Sequence, residues 1–401
     1  MANAKEYPGR SPGLDQARLR RGPDIKTVLA EKGLDVDGRL WQKQLEQVNS
    51  DDVERALANP PGIYNFDKLL ALVSGAAENY LEQMAQMAQR LTVQRFGRTI
   101  RLYAPLYLSN YCINGCRYCG FNKENKSERR RLTVEQAISE ADVIAAEGFR
   151  DILLVSGEDR EFVSIDYLVE LARCLRGKFS SISIEVYQMS ATEYARLFAA
   201  GIEGVTLYQE TYDRKAYAYY HPSGPKSDYD RRLSGPDDIA SAGMREIGLG
   251  ALLGLADWRF ETLALGEHIY YMTKRYWQSH VSVSFPRLRP AHNVERLQFR
   301  HMLSDKNLVQ MIITLRLCFA DVGLVLSTRE GAGLRDSLVR LGITKMSAGS
   351  KTSPGGYSQP TDAVRQFEID DTRSPAQVAA MIRAQGAEPV WKDWDSAFIK
   401  G

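Results

Sequence analysis

Ile100-Arg-Leu-Tyr-Ala-Pro-Leu-Tyr-Leu108 runs through Ser109 into Asn110-Tyr-Cys112-Ile-Asn-Gly-Cys116-Arg-Tyr-Cys119-Gly-Phe121, and this stretch decides how the rest is read. Its first part is an apolar, aromatic-rich run of strand length, and its second is a loop carrying three cysteines. Outward from it, similar runs recur at Asp151 to Ser156, Ser181 to Tyr187, Gly204 to Tyr208, Ile247 to Leu253, Val281 to Phe285, Gly323 to Ser327 and Thr344 to Ser347. Helical stretches or long loops separate them. Eight strands in such alternation describe a TIM-like (β/α)8 barrel, or a six-stranded partial barrel plus two more. Parallel strands covered on both faces read as continuous apolar runs, as Asp151-Ile-Leu-Leu-Val155 does. Most runs end in polar residues: Ser156-Gly-Glu158, Glu210-Thr, Arg287-Leu-Arg289 and Thr328-Arg-Glu330. In a barrel these are the C-terminal strand ends, where active sites form. One polar end is ordinary loop solvation, whereas recurrence at several suggests a shared pocket.

Before the barrel, residues 1 to about 25 are rich in Arg, Gly and Pro and read as a loose arm. Helical patterns follow. Ser50 or an aspartate of Ser50-Asp-Asp-Val-Glu54 can cap one, and a long helix from about Phe66 to Arg95 leads into the first strand. The resulting division is 1–65, N-terminal arm and helices; 66–370, barrel with its leading helix; and 371–401, a short C-terminal extension packing on the barrel. A formal charge of +2 gives no strongly basic face for nucleic acid. Neither a secretory leader nor a stretch of roughly 20 apolar residues is visible, so no membrane is expected and the cytoplasm is the expected location.

Five cysteines are too few and too unevenly placed for a disulfide framework. Cys174 and Cys318 read as buried helix residues. The CxxxCxxC loop is different, because three thiolates so close can hold three irons of a 4Fe-4S cube and leave the fourth without a protein ligand. A structural zinc site wants four ligands, and His221 is the nearest histidine in sequence.

The CxxxCxxC loop, with the aromatic Tyr118 before its third cysteine and a strand directly before it, resembles the signature of the radical S-adenosylmethionine (radical SAM) superfamily. The likeness extends over about residues 60 to 401. Tyr103 to Cys112, Tyr208-Gln-Glu-Thr-Tyr212, Gly248-Leu-Gly-Ala-Leu252, Ser284-Phe-Pro-Arg-Leu-Arg-Pro290, Leu326-Ser-Thr-Arg-Glu330 and Lys351-Thr-Ser-Pro-Gly-Gly-Tyr357 resemble the aromatic amino acid lyases. Pro389-Val-Trp-Lys-Asp-Trp-Asp395 is similar to the tyrosine lyases of thiamine biosynthesis in particular.

The resemblance implies one 4Fe-4S cluster on Cys112, Cys116 and Cys119, S-adenosylmethionine as co-substrate, and a low-potential electron donor such as flavodoxin or ferredoxin. It implies that an adenosyl radical takes a hydrogen from the amino group of L-tyrosine. The Cα–Cβ bond then breaks to give 2-iminoacetate (dehydroglycine) and p-cresol, beside 5'-deoxyadenosine and methionine. The imine would serve the thiazole of thiamine, with the thiazole synthase subunit as a further partner. No cysteine follows Cys318, so ligands for the second cluster of the hydrogenase-maturation relatives are not expected, and the reaction should stop at the imine. Alternatives are a related lyase acting on tryptophan or a modified tyrosine, and a non-catalytic 4Fe-4S electron-transfer protein.

Roles follow by the same resemblance. Tyr118 belongs with the cofactor-binding residues. Glu158 would meet the ammonium of S-adenosylmethionine, or cap the next helix. Arg232, which matches better than Arg231, would grip its carboxylate, or be an exposed helix arginine. Glu210 would hold the ribose hydroxyls or form a structural salt bridge. Arg329 would clamp the substrate carboxylate, and Tyr107 would line the substrate pocket or be a plain barrel aromatic. Arg287 and Arg289, two apart and so on one face, rank behind Arg329 as substrate ligands. The histidines receive no role.

Overall fold

A computed structural model of the chain describes residues 22–35, 39–294, 299–358 and 361–392. All eight runs are strands: β1 (Thr99–Ser109), β2 (Asp151–Ser156), β3 (Ser181–Glu185), β4 (Gly204–Thr206), β5 (Glu246–Gly250), β6 (His280–Ser284), β7 (Gly323–Leu326) and β8 (Lys345–Ser347). Every neighbouring pair is parallel. Closure depends on β1. Its Arg101–Tyr103 segment pairs with β8, and from Ala104 onward it pairs with β2. The sheet is therefore a closed eight-stranded barrel, and the partial-barrel alternative falls away.

A ninth strand, β9 (Glu388–Val390), lies parallel against Thr99–Arg101 outside the closed ring. Three residues centred on a proline carry no strand pattern, and an outer edge is where a strand tolerates proline. Several runs leave the ladder earlier than their apolar patterns suggest. Ser181 to Tyr187 stops pairing at Glu185, and Ile247 to Leu253 is continuous strand only to Gly250, with isolated bridges at Ala251 and Leu253 beyond it.

The expected helix from Phe66 to Arg95 is three pieces: Phe66–Val73, a 3-10 turn at Ala76–Tyr80, and Leu81–Phe96. Buried Ser74 makes the break. Its hydroxyl donates to the Ala71 carbonyl at 2.7 Å and accepts from the Ala77 N–H at 3.3 Å, so it closes one helix and opens the next turn. Apolar periodicity continues across the break because both pieces pack on the helix Asp305–Cys318, with Leu72, Ala77, Met84 and Ala88 against Ile313 and Leu317. The helix Ser50–Ala58 is capped by Asn49, not by Ser50 or an aspartate as cap; Asp52 reciprocates in a capping box.

Cys318 is fully buried, but Cys174 is exposed. The helix Ile165–Leu175 buries Leu168, Leu171, Ala172 and Leu175, and position 174 lies off that stripe. The N-terminal arm up to residue 21 and the last residues of the Pro389 to Asp395 motif lie outside the described residues. Among the described residues no helix is long and apolar enough to cross a membrane.

The N-terminal end of the barrel is plugged by charge. Asp151 meets Arg101 at 2.5 Å and Lys345 at 3.2 Å, while Glu246 meets Lys345 at 3.4 Å and Arg101 at 3.6 Å. Four side chains from β1, β2, β5 and β8 thus form a closed ring of alternating sign. The other end is open.

Candidate active site

At that open end the loop after β1 places Cys112, Cys116 and Cys119 on the wall of a cavity of about 870 Å³. The loop is held from several sides. Asn110 donates to the Glu128 carbonyl at 2.9 Å and accepts from the Arg130 N–H at 2.6 Å, and the Ile113 N–H donates to the Glu158 carbonyl at 3.1 Å. Two glycines allow the approach. A Cβ on Gly157 would stand 2.2 Å from the Tyr111 carbonyl oxygen, and one on Gly120 would stand 2.3 Å from that of Arg365. No side chain fits either place.

Burial pushes all three thiols up, Cys119 to about 11, and the neighbouring sulfurs of Cys112 and Cys119 add to the effect at Cys116. Among the described residues no three His, Cys, Asp or Glu side chains converge tightly enough for a single metal ion. Three thiols spread over one cavity wall, with no fourth ligand, instead fit a cluster of several irons with one iron left open. Metal ligation would take the thiolate forms.

Charged side chains ring the rest of this cavity. Arg232, in the helix Tyr229–Ser241, is buried and bonds Glu158 at 3.0 Å and the Tyr208 carbonyl at 2.8 Å. Lys226 bonds Glu210 at 2.6 Å. Glu210 holds a left-handed backbone, φ 69°, which is uncommon for a residue with a side chain. Burial alone would raise its carboxyl, but Lys226 and Arg232 hold it below the usual range. Asn114 joins the groups, donating to Glu158 at 2.9 Å and accepting from the Lys226 N–H at 2.9 Å. The helix that follows Glu158 is capped by Ser164 instead.

Tyr118 lines the same cavity and its hydroxyl lies 2.8 Å from His221 Nε2. Burial pushes His221 down to about 3, so its ring is neutral. Nδ1 sits 2.9 Å from the Tyr217 carbonyl and must donate there, which leaves Nε2 to accept from Tyr118.

A second cavity of about 550 Å³ reaches into the barrel, with Tyr103, Tyr107 and Ser347 on its walls. Val155, Glu185, Tyr208, Pro286, Arg329 and Phe367 line both cavities. Tyr107 donates to Gln366 Oε1 at 2.7 Å. Arg329 stacks on Phe367 at 3.3 Å and reaches the Arg287 carbonyl at 3.4 Å, with no carboxylate partner among the described residues. Its two companions differ. Arg287 is held by Glu330 and by Asp305 at 2.7 Å and lines neither cavity. Arg289 lines the first cavity but is paired with Asp370 at 2.7 Å.

The structure thus brings Tyr107, Cys112, Cys116, Tyr118, Cys119, Glu158, Glu210, Arg232, Arg289 and Arg329 to two adjoining cavities, and sets Arg287 behind them. Sequence reasoning passed over Asn114, Glu185, Lys226, Gln366 and Phe367. Glu185 had left a signal, a lone charge between Ile184 and Val186 in an apolar run. Gln366 and Phe367 had left none, since they lie in an aperiodic segment that crosses the barrel mouth, Gly120 N–H donating to the Gln366 carbonyl at 3.0 Å.

A closed parallel barrel whose first loop turns three thiols toward a charged cavity has the architecture of the radical SAM enzymes. Residues 106–265 match the Radical SAM superfamily model, and residues 284–388 match the Biotin and Thiamin Synthesis associated domain. The chain is 46% identical over 346 residues to 2-iminoacetate synthase of Escherichia coli, spanning 86% of this chain and 91% of that one. The enzyme of the same name from Salmonella typhimurium is 47% identical over the same shares. Among solved structures, HydG, a maturase of the FeFe-hydrogenase, superposes with a TM-score of 0.84 at 31% identity, covering 91% of this chain and 80% of that chain. The chain belongs to the 2-iminoacetate synthase family of radical SAM enzymes.

Proposed function

We infer that the protein cleaves the Cα–Cβ bond of L-tyrosine to give 2-iminoacetate and p-cresol, consuming S-adenosylmethionine and two electrons from a low-potential donor, one to split the sulfonium and one, with a proton, to reduce the departing aromatic radical. The observation that carries this reading is Arg329, a cation without a carboxylate partner among the described residues, on the shared wall of the thiol cavity and the tyrosine-lined one. A planar guanidinium left free in this way suits a carboxylate from outside the chain, which it can take with two parallel bonds.

A 4Fe-4S cluster on Cys112, Cys116 and Cys119 would supply the electron that splits S-adenosylmethionine. The chain's own residues do the rest by placement. Glu158 and Arg232, bonded to each other at 3.0 Å, match the ammonium and carboxylate of that co-substrate, so its entry would exchange one internal ion pair for two new ones. Glu210, held in place by Lys226, faces the same cavity and offers its carboxylate to the ribose hydroxyls. Arg329 orients the amino acid in the inner cavity. Phe367 and Gln366 cover the mouth and help keep water from a radical that would otherwise be quenched.

Anaerobic protein reconstituted with iron and sulfide, then given reductant, S-adenosylmethionine and L-tyrosine, should release p-cresol and glyoxylate, the hydrolysis product of the imine, with 5'-deoxyadenosine. Turnover of tryptophan in place of tyrosine would overturn the reading.

A further inference from the structure

Glu185 ends β3 and lines both cavities, yet among the described residues its side chain has no hydrogen-bond or ion-pair partner. That is unusual. A carboxylate so placed normally bonds to something, and the other acids nearby do: Glu158 to Arg232, Glu210 to Lys226, Glu330 to Arg287. Among the described residues, the one nearby cation that is also without a carboxylate is Arg329, across the same walls. The two attract each other without reaching salt-bridge distance. One free cation and one free anion, held apart over a shared space, are complementary to an α-amino acid zwitterion.

We propose that Glu185 receives the α-amino group of the substrate and accepts its proton, so that Arg329 and Glu185 together hold the amino acid with a neutral amine turned toward the thiol cavity. The assignment rests on the amino acid lyase reading above. The step balances as a proton transfer: the ammonium becomes an amine, the Glu185 carboxylate becomes a carboxylic acid, and no electron moves. An amine that has lost this proton carries the lone pair that stabilises a nitrogen-centred radical, which an ammonium lacks.

The surroundings suit a carboxyl that takes up and returns a proton. Tyr103 and Tyr107 of β1 face it, as do Tyr208 and Glu210 after β4. Lys226, Arg232 and Arg329 supply positive charge. Burial, and then Glu210, push its carboxyl up to about 7, which the three cations moderate. Near neutral pH it can therefore both hold and release a proton.

The test compares wild type, Glu185→Gln and Glu185→Asp, each reconstituted anaerobically. The probes are L-tyrosine and 3-(4-hydroxyphenyl)propanoate, which has the carboxylate and phenol but no amino group. Losing a charge-assisted bond should weaken tyrosine binding by about 10-fold or more in Glu185→Gln. Affinity for the desamino probe should be kept, which also reports an intact fold. Wild-type kcat/KM should show a limb near pH 7 that Glu185→Gln lacks, and Glu185→Asp should recover part of the turnover. S-adenosylmethionine cleavage without tyrosine should continue in both variants. Glu185→Gln with wild-type tyrosine affinity and pH profile, or with equal losses for both probes, would overturn the Glu185 assignment alone. Wild type that made no p-cresol from tyrosine would overturn the lyase reading and this assignment with it.

Discussion

Two glutamates in one barrel show what its two ends are for. At the N-terminal end burial would raise Glu246, but Lys345 and Arg101 hold its carboxyl down to about 2. At the C-terminal end burial and Glu210 push Glu185 up to about 7. Both belong to strands of the same sheet, and the difference is partnership. Glu246 is one corner of a closed ring with Arg101, Asp151 and Lys345, whereas Glu185 shares its space with a cation it does not touch. The paired end offers nothing to a ligand and everything to stability. The other end keeps charges of both signs uncommitted, as a site for a charged substrate must.

The contrast breaks first at the thiols. Cys116→Ala should abolish S-adenosylmethionine cleavage, because an iron of the cube loses its ligand, while exposed Cys174→Ala should keep full activity. Iron content and 5'-deoxyadenosine release measure both, and an active Cys116→Ala would refute the cluster assignment.

At the opposite end the loss should be of stability. Asp151→Ala removes a buried carboxylate shared by Arg101 and Lys345, and breaking such a buried pair costs about 3 to 5 kcal/mol. Denaturant titration should show this, with activity per folded molecule unchanged. A loss of activity without a loss of stability would mean the two ends are not separate.

Arg329→Ala should do the reverse. It should weaken tyrosine binding by roughly 30-fold or more, spare uncoupled S-adenosylmethionine cleavage, and leave stability nearly unchanged. Arg329→Lys should restore only part of the affinity, because an ammonium lacks the two-pronged grip. If Arg329→Ala kept tyrosine affinity, Arg289, the other arginine on the cavity wall, would be next to test.

The smallest effect concerns acid. Glu246 has a folded value below the ordinary 4.5, so the unfolded chain takes up its proton first as pH falls. The stability it contributes is present above about 4.5 and is lost on the way down to about 2. Glu246→Gln should flatten that part of the stability-against-pH curve. An unchanged slope would show that the ring does not hold the carboxylate ionised.

How much of this was legible depended on whether the signal was local. Eight strands and the cysteine loop were readable because apolar runs and close thiols are properties of contiguous residues. The Phe66 to Arg95 helix was misread because Ser74 ends a helix through hydroxyl bonds that do not interrupt the apolar pattern. Cys174 was misread because a cysteine in an amphipathic helix is buried only if it falls on the inner stripe. Gln366 and Phe367 had no pattern to read.

The sequence by itself determined the barrel and the gathering of three thiols on one loop, since periodicity and spacing act over a few residues and survive translation into structure. Tertiary structure alone decided which charges are spent on one another and which remain. Arg287, Arg289 and Arg329 are alike as letters. Yet Glu330 and Asp305 hold the first, Asp370 pairs with the second, and the third stands open to the cavity. Coulomb energy depends on distance through space and on exclusion of water, and neither is written in the order of residues along a chain.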